Sequence, residues 1–131
     1  MKTLTLILAL TFTVMFSSTS FADWTKVGED WEFRDGNTHY VDFERMTKHE
    51  RYVYWWKLTD LLKPTTTGVL SYKSYNQGDC GFNKTRQLSV FIHKEPMGRG
   101  IGIQGPTLQW TLVGPDSLTH TYLKSICAYA K

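Results

Sequence analysis

Cysteine is scarce in this 131-residue chain: Cys80 and Cys127 are the only two. Without a C-x-x-C pair there is no thioredoxin-like redox centre, and two cysteines so far apart lack the paired ligand spacing of a structural zinc site. Histidines 39, 49, 93 and 120 form neither H-x-H nor H-E-x-x-H, so no metal ligand set is legible. No G-x-S-x-G elbow marks a hydrolase serine. The glycine run Gly98-Arg99-Gly100-Ile101-Gly102 is not followed by Lys-Ser/Thr, and Gly105-Pro106 stops a helix there. It reads as a sharply turned β-connection, not a phosphate loop. Glu29, Asp30, Glu32 and Asp35 cluster, but as a solvated acidic edge in preference to an acid–base pair. These absences nominate no catalytic, cofactor-binding or metal-binding residue, and the expectation is a protein that is not an enzyme.

Long apolar runs are equally few. The one present, Leu4 to Phe16, follows Lys2, is too short to span a bilayer, and leads to Ser20-Phe21-Ala22. Residues 1–22 therefore read as a cleavable signal peptide, and 23–131 as a single domain with no transmembrane segment. The formal net charge is only +3, too balanced for a dedicated nucleic-acid binder. An exported protein meets an oxidising compartment, so one Cys80–Cys127 disulfide is expected over two free thiols.

Aromatics are plentiful, at 15% of the chain. Arg51 to Leu58, RYVYWWKL, is the clearest strand, dense in β-branched and aromatic residues. Thr38–Phe43, Val69–Tyr75, Arg86–His93 and Leu108–Val113 read as further strands, with Asp42 capping a turn over 43–46 and Asp79 in another turn. From Leu118 the period changes: Leu118, Tyr122, Ile126 and Ala130 recur every four residues, with Leu123 and Cys127 beside them. That is an amphipathic helix, started by Pro115-Asp116-Ser117. Strands in series and then one helix predict an α+β fold, mainly an antiparallel sheet with the C-terminal helix packed on it. Within the clearest strand, Val53 and Trp55 point one way, and Tyr52, Tyr54 and Trp56 the other. One face is core; for the opposite face, coverage by the helix is favoured over an exposed contact surface, because the helix stripe needs a home.

Charge is unevenly spread. Residues 23–60 carry six basic and nine acidic groups, whereas 61–131 carry eight basic and three acidic. Lys84, Arg86, Lys94 and Arg99 lie close in sequence with Glu95 as the only acid among them. They are candidate partner-binding residues for an acidic protein face or an acidic glycan; a solvated basic edge that deters strand aggregation is the structural alternative.

Several short elements occur in a telling order: Tyr40-x-Asp42, Trp56-x-Leu58-x-Asp60, Pro64, Ser71-x-Lys73, Asp79-Cys80, Arg86, Met97-Gly98-x-Gly100, Trp110, Pro115-x-Ser117 and Cys127. In this set the chain resembles the surface-adhesin protein E family of small exported bacterial proteins, over roughly residues 24–127. The resemblance implies a sheet of about six antiparallel strands, a C-terminal helix packed on it, and a disulfide joining the two. It also implies host-facing adhesion to extracellular-matrix and serum proteins, partly through basic residues. One departure stands out: a surface lipoprotein carries a cysteine directly after its leader, and here the junction is Ala22-Asp23. A periplasmic or secreted protein, not lipid-anchored at that junction, is expected. The function expected is an exported, adhesin-like binding module contacting host matrix or other acidic partners. The alternative is a periplasmic inhibitor or accessory factor that inserts the Met97–Pro106 loop into another exported protein.

Overall fold

The computed structural model describes residues 23–30 and 36–130, without the side chains of Glu29 and Asp30. The leader read at 1–22, and Glu32 and Asp35 of the acidic cluster, lie outside the described residues. Among the described residues, eight strands and one α-helix form: β1 (Thr25–Asp30), β2 (Asn37–Val41), β3 (Thr47–His49), β4 (Tyr52–Asp60), β5 (Ser71–Asp79), β6 (Lys84–His93), β7 (Ile103–Gln104), β8 (Thr111–Leu112) and α1 (Leu118–Tyr129). A single 3₁₀ turn spans Pro96–Gly98. The strands make one sheet in the order β1-β2-β4-β5-β6-β7, with β3 added to β4 and β8 to β6. Every neighbouring pair is antiparallel.

Short polar side chains set the turns. Asp42 Oδ1 accepts from the backbone N–H groups of Glu44 and Arg45, at 3.1 and 3.3 Å, as its capping position predicts. Asp79, fully buried, does the same after β5: its Oδ1 accepts from Gly81 N (2.9 Å) and Phe82 N (3.2 Å). Strand bounds move by a few residues where such turns intervene. β5 starts at Ser71 because Thr65 closes on Val69 through both backbone and hydroxyl, each bond 3.0 Å. The Leu108–Val113 segment yields only the two residues of β8, and the Gln87 side chain takes the Leu108 N–H at 3.0 Å. Opposite it, β6 carries a bulge at Leu88: Tyr75 pairs with Ser89 and Asn76 with Gln87, leaving Leu88 without a partner residue.

The helix crosses one face of this sheet. Its stripe meets β2 and β4, and Val41, Val53, Trp55, Tyr122, Leu123, Ile126 and Ala130 form the buried core. Gly78 on β5 permits this closeness, since a Cβ there would lie 2.7 Å from Leu123 Cδ1 and 2.9 Å from Trp55 Cζ3. Ser117 caps the helix by accepting from His120 N at 3.1 Å. Cys80, just past β5, is bonded to Cys127 in the last turns of α1, with their Cα atoms 6.0 Å apart.

The expectation about faces needs correction. The helix covers the side of Val53 and Trp55, which is the core itself, and not the side of Tyr52, Tyr54 and Trp56. One layer of helix has one sheet face to cover, and the Gly78 gap selects that face.

The disulfide closes a loop with a sequence separation of 47. Removing it in a Cys80→Ala/Cys127→Ala variant should lower the unfolding free energy by about 4 kcal/mol through the entropy of the unfolded chain. Urea unfolding measures it; a loss below about 1 kcal/mol would mean that packing alone holds α1.

Candidate functional site

The uncovered face is built by strand alternation. Tyr52, Tyr54 and Trp56 on β4 stand opposite Asp79, Gln77 and Tyr75 on β5. Gln77 and Lys73 in turn stand opposite Arg86 and Phe91 on β6. Registered aromatics on neighbouring strands meet directly. Trp56 lies 5.1 Å from Tyr75 and 6.3 Å from Phe91, Tyr54 lies 6.3 Å from Tyr75, and Tyr52 lies 6.2 Å from Trp110, measured between ring centres.

Cations sit over these rings. Arg45 stands 5.5 Å above Trp56 and 5.9 Å from Trp24. Lys84 and Arg86 each stand 4.8 Å from Trp110. Arg51 lies 4.9 Å from Phe82 and 5.2 Å from Tyr52. The ring quadrupole favours each pairing and holds the long side chains in position while their charge stays open to solvent. A hydrogen-bonded chain adds rigidity: Arg86 Nε donates to Gln77 Oε1 at 2.7 Å, and Gln77 Nε2 donates to the Tyr54 hydroxyl at 3.0 Å.

The acids nearby are already engaged. Asp42 is ion-paired with Arg45. Asp79 Oδ2 lies 3.2 Å from Arg51 Nε without making a hydrogen bond. Asp60 Oδ1 accepts from Met97 N at 2.8 Å. Among the described residues no carboxylate is ion-paired with Lys73, Lys84 or Arg86. The face is therefore cationic.

At its far end lies a hollow of about 340 Å³ bounded by Arg45, Trp56, Lys73, Phe91, His93, Gly100 and Gly102. His93 is 2% exposed, with Nδ1 3.1 Å from the Arg99 carbonyl and Nε2 without a partner. Gly102 closes on that ring edge, since a Cβ there would stand 2.8 Å from Nε2. The loop over this end is anchored: Gly98 N donates to Ser71 Oγ at 2.8 Å, and Ser71 Oγ to the Glu95 carbonyl at 2.6 Å.

The candidates Lys84, Arg86, Lys94 and Arg99 separate into two groups. Lys84 and Arg86 share Trp110. Lys94 follows the other end of ten-residue β6, about 30 Å away at ordinary strand rise, and Arg99 lies in the anchored loop beyond it. Both are exposed. Sequence reasoning did not nominate Arg45, Arg51, Trp110 or Lys73 for this face. Trp110 gave a usable signal, as a lone tryptophan in a short segment beside the basic stretch; Lys73 depends on strand pairing, and Arg45 and Arg51 on turns folded against the sheet. Among the described residues no cluster of His, Cys, Asp and Glu is placed to hold a metal ion.

The surface-adhesin protein E family model matches residues 24–128. The chain belongs to the surface-adhesin protein E family. Solved structures agree in fold. A Haemophilus influenzae protein E structure (crystal form II) superposes with a TM-score of 0.57 at 19% identity, covering 71% of this chain and 83% of that one. Protein E from non-typeable H. influenzae gives 0.53 at 17% identity, covering 81% and 84%. No curated protein matches by sequence. As a surface-adhesin protein E member, the chain is an adhesin-like surface protein by family. Its antiparallel sheet, C-terminal helix and Cys80–Cys127 bond are those that the resemblance implies. Among the described residues no helix is long and apolar enough to cross a membrane.

Two histidines of this adhesin-E domain, half-buried His39 and buried His93, are held as neutral groups. Burial, then the Lys57 charge, lowers the His39 pKa from 6.5 to about 4. Burial, then Lys73, lowers that of His93. Both therefore take up protons more readily in the unfolded chain. Their contribution to stability is complete above pH 6.5 and is lost as pH falls below it, down to about 4 for His39. Urea midpoints at pH 7.5 and 5 should show this fall, and a His39→Gln/His93→Gln variant should lessen it; an equal fall in both proteins would assign it to other groups.

Proposed function

We propose that the chain is an exported binding module without catalytic activity, which holds an acidic protein surface against the cation–aromatic face of β4, β5 and β6. The observation that carries it is that α1 covers the opposite face, leaving Trp56, Tyr75, Tyr54 and Trp110 half-buried under Arg45, Lys84 and Arg86. Tryptophan, tyrosine and arginine are the side chains that dominate binding energy at protein interfaces. Fixed cations among them select an acidic partner and speed its approach. Lys94 and Arg99 extend the positive field at the other end of β6 and add to long-range attraction. Export through residues 1–22, with the domain beginning at residue 23 and no lipid at the junction, belongs to the same proposal. The disulfide supports an oxidising destination.

The test is surface plasmon resonance against a panel of extracellular-matrix glycoproteins. Binding to any of them should fall steeply between 0.05 and 1 M salt, as the screening length shortens from above 10 Å to about 3 Å. A Lys84→Ala/Arg86→Ala/Trp110→Ala variant should weaken it at least tenfold, about 1.4 kcal/mol. Lys94→Ala/Arg99→Ala should mainly slow association. Binding that survives both high salt and the triple variant would remove this face from the proposal.

A second reading has its own observation. The Met97–Pro106 loop is anchored at its base, and Ile101 is 89% exposed near its tip. A rigid loop with an apolar tip suits insertion into the cleft of another exported protein, as an inhibitor does. Ile101→Asp should abolish such inhibition without changing the thermal midpoint; inhibition unchanged in that variant would discard the second reading.

A further inference from the structure

On the helix side a cleft of about 310 Å³ opens between α1 and β5–β6. Lys57, Asn76, Arg86, Gln87, Thr119 and Tyr122 are among the residues that line it, with Arg86 at the border with the cation–aromatic face. We propose that this cleft is a binding site for a small acidic sugar, one pyranose ring bearing a carboxylate.

The charge is the first reason. Lys57 projects from the middle of the sheet beside the core, and among the described residues no carboxylate is ion-paired with it. It is positioned by Tyr122, with Nζ 3.4 Å from the hydroxyl and 5.2 Å from the ring centre. An ammonium fixed in a partly enclosed cleft attracts one negative charge more strongly than an exposed lysine does.

The neighbouring polar groups are the second reason. Asn76 is 6% exposed, and its Nδ2 donates to the Ser74 carbonyl (3.1 Å) and to Ser74 Oγ (3.0 Å). Those bonds leave the Asn76 carbonyl oxygen without a partner among the described residues. Gln87 accepts from Leu108 N with Oε1, which leaves its Nε2 protons open. Tyr122 donates to Thr119 Oγ1 at 3.2 Å, so the Thr119 hydroxyl proton is free to be donated. The cleft thus offers the Lys57 ammonium, with Arg86 at its border, an acceptor and several donors, within a wall that includes the apolar Leu112 and Val113. A hydroxyl both donates and accepts, so a ring of hydroxyls matches this mixture. A bare anion would leave the Asn76 carbonyl unmatched, and a neutral sugar would leave Lys57 without its counter-charge.

The test uses the disulfide-bonded protein and sodium glucuronate, followed by NMR titration, with glucose and inorganic phosphate as comparison probes. Glucuronate should give saturable shifts at the amides of Lys57, Asn76, Gln87 and Thr119. Lys57→Met, which keeps the aliphatic contact with Tyr122, should weaken binding at least tenfold. Thr119→Glu, which sets a carboxylate beside the lysine at a helix N-terminus that tolerates it, should do the same. Lys84→Ala, on the cation–aromatic face and outside the cleft lining, should bind glucuronate as the parent does, which separates this site from that face. Absence of saturable shifts, equal affinity for glucose or phosphate, or binding unaffected by both cleft variants would each overturn the proposal.

Discussion

The contact of Leu123 with Trp55 across Gly78, locked by the Cys80–Cys127 bond, fixes everything else about this molecule. A single-layer sheet has two faces, and among the described residues one α-helix is there to cover them. Close approach needs a position without a Cβ, and Gly78 provides it on one side only. Once α1 is seated there, Val41, Val53 and Trp55 are removed from water together with Ile126 and Leu123. The remaining face must be made compatible with solvent by other means.

Those means are aromatic side chains and long cations. Trp56, Tyr75, Phe91 and Tyr54 cover one another, and Arg45 lies over the Trp56 ring. Such a surface tolerates water because the charge is outermost, yet it retains apolar area that a partner can cover. In the proposed function, binding and structural sufficiency draw on the same residues. The anchored 94–102 segment finishes the far end, burying His93 and shielding Leu58, which is fully buried on the otherwise open side. The helix side has a different character, since its cleft is polar and carries Lys57 at the margin of the core.

Much of this was legible from residue patterns. The period-four stripe beginning at Leu118 predicts α1 to within a residue, because a helix must present one apolar side. The β-branched and aromatic run beginning at Arg51 predicts the central strand β4, and Asp42 and Asp79 announce their turns through the short acceptors they carry. The pairing of Lys84 with Arg86 was also visible, as two cations at strand spacing. That both rest on Trp110, and that Lys94 and Arg99 stand at the other end of β6, was not: proximity in sequence becomes distance along an extended strand.

The sequence alone determined the class of fold, the disulfide, the helix and the family, since each depends on local periodicity, residue type or ordered short elements. Tertiary structure decided which face the helix occupies, and with it the identity of the exposed surface. Alternation along β4 offers two apolar faces of similar content, and the steric gaps at Gly78 and Gly28, residues on other strands, break the tie. Lys73 and Lys57 likewise gain their roles from registers between strands distant in sequence, and Arg45 from where its turn lies against Trp56, which no local pattern encodes.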